Sequence, residues 1–459
     1  MRKTILAVLS LVPSLALASG YSLPNTNPRD LSMCASAVAA QRDSGATFAL
    51  PAALARLRGP SVSVGGGGVN VFNDWKDPTP GATTPPPAEP ATSKLATQTT
   101  AVPNVSAAWG GTLPFLGDRG WGVGASVQPF GGAIVKWPQD WAGRYRVTGV
   151  DRKVFSAVLG AGVELHPQVR IGGGVIYYRT TETFDLAAWM QPYPNPAAPT
   201  AAPDARAHLD LTGHAWSYDA SLEVDPLRGV PLTFAVDYKH KATQALDGSV
   251  SWTGTGPYFS GFPYAGPLAG FNPLAGLFGA TGAKQQLTIP NVLNVAVAYR
   301  VVKPLLLTGT FTFDRWVVYG QDLFNLNTGA PFPVARSYRN GQTYRVGAEY
   351  DLTSMFQVRA GVQRDVSGLR SSTYSPSLPD ASSWAGSVGA SLWFARAFHV
   401  DAAFFYAKMD EVKASSVGLE PGYAGATPVP VPTGTFRGTY SPSAMVYTLA
   451  LGWTPGAAR

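Results

Sequence analysis

Apolar and polar residues alternate with a period of two through most of this chain, which points to sheets with one greasy face. Leu232, Phe234, Val236 and Tyr238 alternate with Thr233, Ala235, Asp237 and Lys239. Phe356, Val358, Ala360 and Val362 do the same against Gln357, Arg359, Gly361 and Gln363. The pattern returns from Phe398 to Phe404 and from Tyr447 to Trp453. Successive side chains of a strand leave opposite faces, so each segment is a strand with one apolar side.

A soluble sandwich and a membrane barrel share this alternation, and the connections separate them. Fourteen candidate strands run from one near 61–72, through a third near 120–130, to a last near 438–454. Connections on one side are mostly short, as at His166-Pro167 and Thr353-Ser354. Those on the other side are mostly long, including 74–100 and 253–284. Short turns at one end and long loops at the other predict an all-β fold, a transmembrane antiparallel β-barrel of about fourteen strands. A spanning sheet must close on itself, because lipid offers its backbone no hydrogen-bond partner. Trp109, Trp121, Tyr177, Tyr178, Tyr299, Trp316, Tyr344, Tyr350 and Trp453 lie near strand ends, where interfacial girdles place aromatics. Trp453 takes the place of a terminal aromatic, with a short tail behind it at 455–459.

The N-terminus predicts export. Arg2 and Lys3 precede an apolar stretch over 5–17, and Ala16-Leu17-Ala18 supplies a small-residue cleavage pattern. The signal peptide is then 1–18. A Gram-negative outer membrane follows as the location. The single cysteine, Cys34, excludes an internal disulfide and reads as a packed thiol. The net charge of +7 is scattered, without a basic run, so no nucleic-acid partner is expected. The five histidines lack metal-ligand spacing, and Gly65 to Gly68 lie in a strand rather than before a helix. No cofactor, metal or catalytic residue is assigned, and the chain is not expected to be an enzyme.

One segment fits no strand. Residues 31–58 are rich in alanine, and Pro51 is well placed to open a helix. The segment is too small for a core of its own. It is expected inside the barrel as a plug spanning 19–59, with 60–454 as the barrel; a loose periplasmic tail is the alternative.

The order of several motifs resembles the FadL family of outer-membrane transporters (OmpP1/FadL/TodX). The run from Gly20-Tyr21 through Asn27-Pro28-Arg29-Asp30 to Leu50-Pro51-Ala52 is similar to that family's N-terminal hatch, with Leu50 where the family carries Asn. Gly120 to Gly131 followed by Trp141-Ala142-Gly143-Arg144 resembles its third strand and the loop after it. Leu287 to Val292 and the stretch from Tyr344 to Val362 resemble its eighth strand and its tenth-to-eleventh hairpin. The resemblance implies a monomeric barrel plugged by the hatch, in a bed of outer-membrane lipid. It also implies capture of a hydrophobic ligand by outer loops, a lumenal pocket, and sideways release at a kink in strand three. Family ligands are long-chain fatty acids and aromatic hydrocarbons. A general diffusion porin and an outer-membrane lipase are the competing functions.

Three groups of residues are candidates for the path. Residues 253–283 carry no charged residue, and the aromatic run there is an expected ligand-binding outer groove. It comprises Phe259, Phe262, Leu268, Phe271, Leu274, Leu277 and Phe278, with Trp189 from the preceding loop. Inward packing of that loop on itself is the bland alternative. Pro129, Phe130, Gly131 and Gly132 form either a lateral opening or the simple end of a strand at Gln128. Arg179, Lys239, Arg345 and Arg359 are possible carboxylate partners, or else cations of lumenal salt bridges.

Overall fold

The computed structural model describes residues 20–77, 90–114, 117–188, 205–253, 280–328, 331–394, 397–417, 422–424, 427–429 and 435–455. Fourteen antiparallel strands form its wall: β1 Gly59–Lys76, β2 Asn104–Leu113, β3 Arg119–Lys136, β4 Gly149–His166, β5 Val169–Ala188 and β6 Ala205–Val224. They continue as β7 (Leu232–Lys239 and Ala242–Thr253), β8 (Gly282–Ile289 and Val292–Val302), β9 Leu305–Asp314 and β10 Gly341–Asp351. The last four are β11 Phe356–Val366, β12 Ser383–Phe394, β13 Phe398–Met409 and β14 Thr435–Trp453. β14 pairs with β1 from Val62↔Trp453 to Lys76↔Thr439, which closes the barrel. β8 breaks at Pro290, since proline cannot donate to the ladder. Above β9, an outer hairpin of Gln321–Leu326 and Pro331–Ala335 pairs with β8 and carries the wall upward.

The distribution of side chains is inside-out. Trp109, Leu159, Trp216, Val346 and Leu449 point outward and are exposed. Ser106, Thr308, Thr310, Thr312 and Ser387 point inward and are buried. Apolar residues outside and polar ones inside are what a lipid-embedded barrel requires. Among the described residues no helix is long and apolar enough to cross a membrane, which leaves the strands to do it. Two of the expected girdle aromatics belong elsewhere. Tyr178 has inward parity on β5, and Trp316 sits in a 3-10 turn after β9; both are buried in the interior.

The lumen is occupied by residues 20–58, which fold as short helices: Pro28–Leu31, Val38–Ala40, Ala46–Ala49 and Pro51–Arg56. Pro51 does open a helical turn, but a 3-10 one, pressed against the wall. The wall makes room with glycine. A Cβ on Gly172 of β5 would lie 2.3 Å from the Ala52 nitrogen. Leu31, Leu50, Leu54 and Leu57 are buried, each worth about 1.5–3 kcal/mol relative to exposure. Cys34 is buried as a free thiol, and its backbone N–H donates to Ser387 Oγ at 2.8 Å.

Candidate translocation path

The most irregular stretch of the wall is β3. Its lower half pairs with β2 from Leu113↔Arg119 to Val105↔Val127. On the other side it pairs with β4 as far as Lys136↔Gly149, so the strand does not end at Gln128. The β4 register shifts between Pro129↔Phe155 and Gly131↔Val154, leaving Phe130 as a bulge. One extra residue inverts the faces. Val123 and Val127 point outward below the bulge, whereas Ala133 and Val135 are buried above it.

Beyond Val127 the ladder to β2 stops. The chain before β2 stays with β1 through Thr99–Ala101. Across this break the Ala96 N–H donates to the Lys136 carbonyl at 2.9 Å at the upper rim, and Asn104 Nδ2 donates to Gln128 Oε1 at 2.6 Å at the lower one. The upper half of β3 turns to the N-terminal segment instead. Gly132 N–H donates to the Tyr21 carbonyl at 2.7 Å, and Leu23 N–H to the Phe130 carbonyl at 2.9 Å. Ser22 sits opposite Gly131 in an isolated bridge. Only glycine permits this approach, since a Cβ on Gly131 would lie 1.9 Å from the Tyr21 oxygen.

An aromatic cluster backs the break. Tyr21 meets Trp316, Tyr319 and Phe130 edge-on at 5.0, 5.6 and 6.3 Å between centroids, and Phe130 meets Tyr178 at 5.4 Å. Next to it lies a cavity of about 120 Å³. Leu23, Phe48, Pro129, Phe130 and Val292 form its apolar lining. An apolar cavity of roughly 150 Å³ takes a benzene ring, and drug-sized ligands need roughly 300–1,000 Å³. The cavity is smaller than either, and its lining also carries Asp30, Lys239, Asp314, Arg345 and Asp365.

The outer hairpin is tied down by ions. Arg152 of β4 is 2.8 Å from both oxygens of Glu182 and 3.2 Å from Asp322 on the hairpin. Arg336 donates to the same Asp322 at 2.6 and 2.8 Å, and to Ser377 at 3.0 Å. Tyr319 and Gln285 complete the shell of Asp322. This buried quartet was missed in the sequence. Its only signal is that Arg152 shares the inward face of Val150, Val154 and Val158.

The expected carboxylate partners divide three ways. Arg179 is exposed and points out of the barrel, correcting its placement in the lumen: it shares β5 parity with Ile171 and Val175. Arg359 is inward but occupied, 2.7 Å from Glu349 and 3.2 Å from Asp401. Arg345 is inward and lines the cavity, donating to Gln363 at 3.0 Å and to Thr312. Lys239 also lines it, bound to Asp237 at 2.6 Å. Leu50, Pro51 and Ala52 are buried in the plug, where the Ala52 N–H donates to Ser221 Oγ at 2.9 Å. Trp189, Phe259, Phe262, Leu268, Phe271, Leu274, Leu277 and Phe278 lie outside the described residues.

Two ion-pair groups seat the plug from below. Arg56 binds Glu223 and Asp225, each at 2.7 Å. Arg29 approaches Glu349 at 3.2 Å, sharing that carboxylate with Arg359. Breaking a buried pair by removing one partner typically costs about 3–5 kcal/mol. Glu349→Gln is therefore expected to loosen residues 27–41, seen as amide hydrogen exchange more than about tenfold faster there. Unchanged exchange would mean that Arg29 does not anchor the plug.

A lipase would need a serine hydrogen-bonded to a histidine, and Ser391 and His399 lie on opposite strands of the β12–β13 hairpin without forming that bond. Ser391 and His399 both bind Asp401, the latter through Nδ1 at 2.6 Å, so the serine is not hydrogen-bonded to the imidazole.

Residues 9–454 match the family described as outer membrane protein transport protein (OMPP1/FadL/TodX). The chain belongs to that family. It is 23% identical over 440 residues to a protein of Neisseria meningitidis serogroup B named as an outer membrane protein, covering 90% of this chain and 91% of the other. A FadL homologue from Pseudomonas aeruginosa superposes with a TM-score of 0.79 at 18% identity, over 95% of this chain and all of that one. The toluene transporter TodX of P. putida superposes at 0.65 and 12% identity, over 91% and 95%. A monoaromatic hydrocarbon channel, CymD, gives 0.60 at 12% identity, over 95% and 97%. Family membership places the chain in the outer membrane as a hydrophobic-compound transporter.

Proposed function

We propose that this chain takes hydrophobic small molecules from its outer loops into the lumen and releases them sideways into the bilayer beside β3. The observation that carries the reading is the loss of the β2–β3 ladder above Val127, together with the bulge at Phe130. A fully bonded wall offers a greasy molecule no way out except water, which solvates it poorly. Pro129, Phe130, Gly131 and Gly132 form the frame of the exit. The apolar cavity wall and the aromatic cluster lie on the approach to it. The chain's ligands are aromatic hydrocarbons or long-chain fatty acids; TodX is a toluene transporter and CymD a monoaromatic hydrocarbon channel. The barrel closes on itself, which supports a monomer surrounded by lipid. The filled lumen speaks against a general diffusion porin.

Expression of the full chain in a strain without its own hydrophobe transporters is expected to confer uptake of labelled toluene or oleate. No gain over the empty vector would refute transport. The capture step has its own test. Phe259→Asp with Phe271→Asp puts two charges into the uncharged aromatic loop, and desolvating each on ligand entry costs on the order of a few kcal/mol. Uptake at low ligand concentration should fall while the barrel stays folded; unchanged uptake would remove the groove from the path.

A further inference from the structure

The outward face of β5 to β7 changes character at one height. On β5 the outward residues read Ile171, Gly173, Val175, Tyr177 and then Arg179. On β6 they read Leu222, Ala220, Tyr218, Trp216 and then His214. On β7 they read Phe234, Val236 and Tyr238, with Lys241 following at the break in the strand. Arg179 is ten residues above Val169, and His214 ten above Val224, each counted from the short-turn end of its strand. At roughly 3.3 Å per residue and a tilt of about 40°, ten residues rise about 25 Å, the height of the lipid-facing band of such barrels. Tyr177, Trp216, Tyr218 and Tyr238 thus form the girdle on the long-loop side, and Arg179 and Lys241 stand at the level of the outer-leaflet headgroups.

The register gathers these residues. Arg179 is opposite His214, and Tyr177 opposite Trp216. Tyr177 meets Trp216 at 4.9 Å and His214 at 5.7 Å between ring centroids. Ser217 Oγ donates to the carbonyls of His240 and Lys241, which holds Lys241 beside β6 next to Trp216. The nearest charges above this row are matched: Lys153 is 2.8 Å from Asp151, and Lys284 2.8 Å from Asp247. Asp210 lies four residues beyond His214 on β6, about 13 Å further up the strand. Arg179 and Lys241 are exposed, and among the described residues neither has a carboxylate partner.

We propose that Arg179 and Lys241, on either side of β6, hold a phosphate-bearing glycolipid of the outer leaflet, of the lipid A type, against the wall. A guanidinium meets a phosphate bidentately, and the ammonium meets it as a point charge. The rings of Trp216 and Tyr218, 65% and 50% exposed, lie just below for its acyl chains. An exposed ion pair alone is weak, so a free phosphate gains little here, whereas a lipid adds apolar contact to the charge.

The test titrates the purified full chain, in nonionic detergent, with lipid A carrying both phosphates, followed by native mass spectrometry. Lipid A stripped of phosphate should bind at least about tenfold more weakly. Arg179→Gln with Lys241→Gln should lose a similar factor for the phosphorylated lipid, about fivefold for each cation. Lys284→Gln removes a cation that Asp247 already matches, and binding should not change. Equal binding of the two lipids by the unaltered protein overturns the proposal without any variant. So does undiminished binding by the folded double variant. Displacement of the lipid by millimolar inorganic phosphate overturns it as well, because the site would then be one for a small anion.

Discussion

Deleting Phe130 together with Pro129→Val is expected to abolish hydrophobic uptake while leaving a folded barrel. Within the ladder from Trp121 to Lys136, Phe130 is the one residue of β3 without a partner on β4, between Pro129↔Phe155 and Gly131↔Val154. Its removal restores a regular register and keeps every residue above it facing as it does now. Replacing Pro129 returns the missing donor. The register of β3 with β2, which ends at Val105↔Val127, can then continue upward. The result is a β2–β3 ladder that continues above Val127, where it now stops. Uptake of labelled toluene or oleate should drop at least about tenfold, the loss expected when a route rather than a contact is removed. Ligand binding to the outer face should persist, because that step precedes the exit. Heat-modifiable mobility on a gel checks folding. Uptake at the unaltered rate in a folded variant would send the ligand down the barrel axis instead.

The barrel was legible because its signal is redundant. Each strand repeats one alternation, and the wall tolerates one or two misplaced ends. β6 alternates buried and exposed along nearly its whole length, Ala205–Val224, so its limits stand out in the sequence. Single residues are harder. Arg179 follows two aromatics, Tyr177 and Tyr178, so the local pattern does not say which face it takes; the structure puts Tyr178 inside and Arg179 outside. The extension of β3 to Lys136 was hidden for a related reason. The bulge at Phe130 breaks the period of two, and Gly131 and Gly132 carry no side chain to mark a face. The pairing of Tyr21, Ser22 and Leu23 with β3 joins residues over a hundred positions apart. Nothing local encodes it except the glycine that makes room. The ion quartet around Asp322 likewise draws on separate segments, β4, β5 and the outer hairpin.

Deleting residues 19–58 is expected to turn the protein into an aqueous pore. The closing ladder between β1 and β14 begins at Val62↔Trp453 and uses no plug residue. The barrel should therefore close without the plug. What the plug supplies is filling: Leu31, Met33, Leu50 and Leu54 occupy the lumen. Without it the interior presents Thr308, Thr310, Thr312, Ser387, Glu223, Glu349 and Arg359 to water. Those groups lose Arg29 and Arg56 as partners but gain hydration, so the loss does not threaten the wall. Side chains alone fill barrels of about eight strands, whereas porins of sixteen to eighteen leave a channel. Fourteen strands without a plug fall close to the second case. Single-channel recordings should show large, steady open steps that the unaltered protein lacks. Influx of small hydrophilic solutes should rise at least about tenfold, as it does when a filled lumen becomes a water-filled one. The same deletion removes Tyr21 and Leu23 from β3, so selective hydrophobic uptake should be lost as the leak appears. A deletion protein that folds yet passes hydrophilic solutes no faster would show that side chains of the wall seal the lumen, and the N-terminal segment would lose its role as a plug.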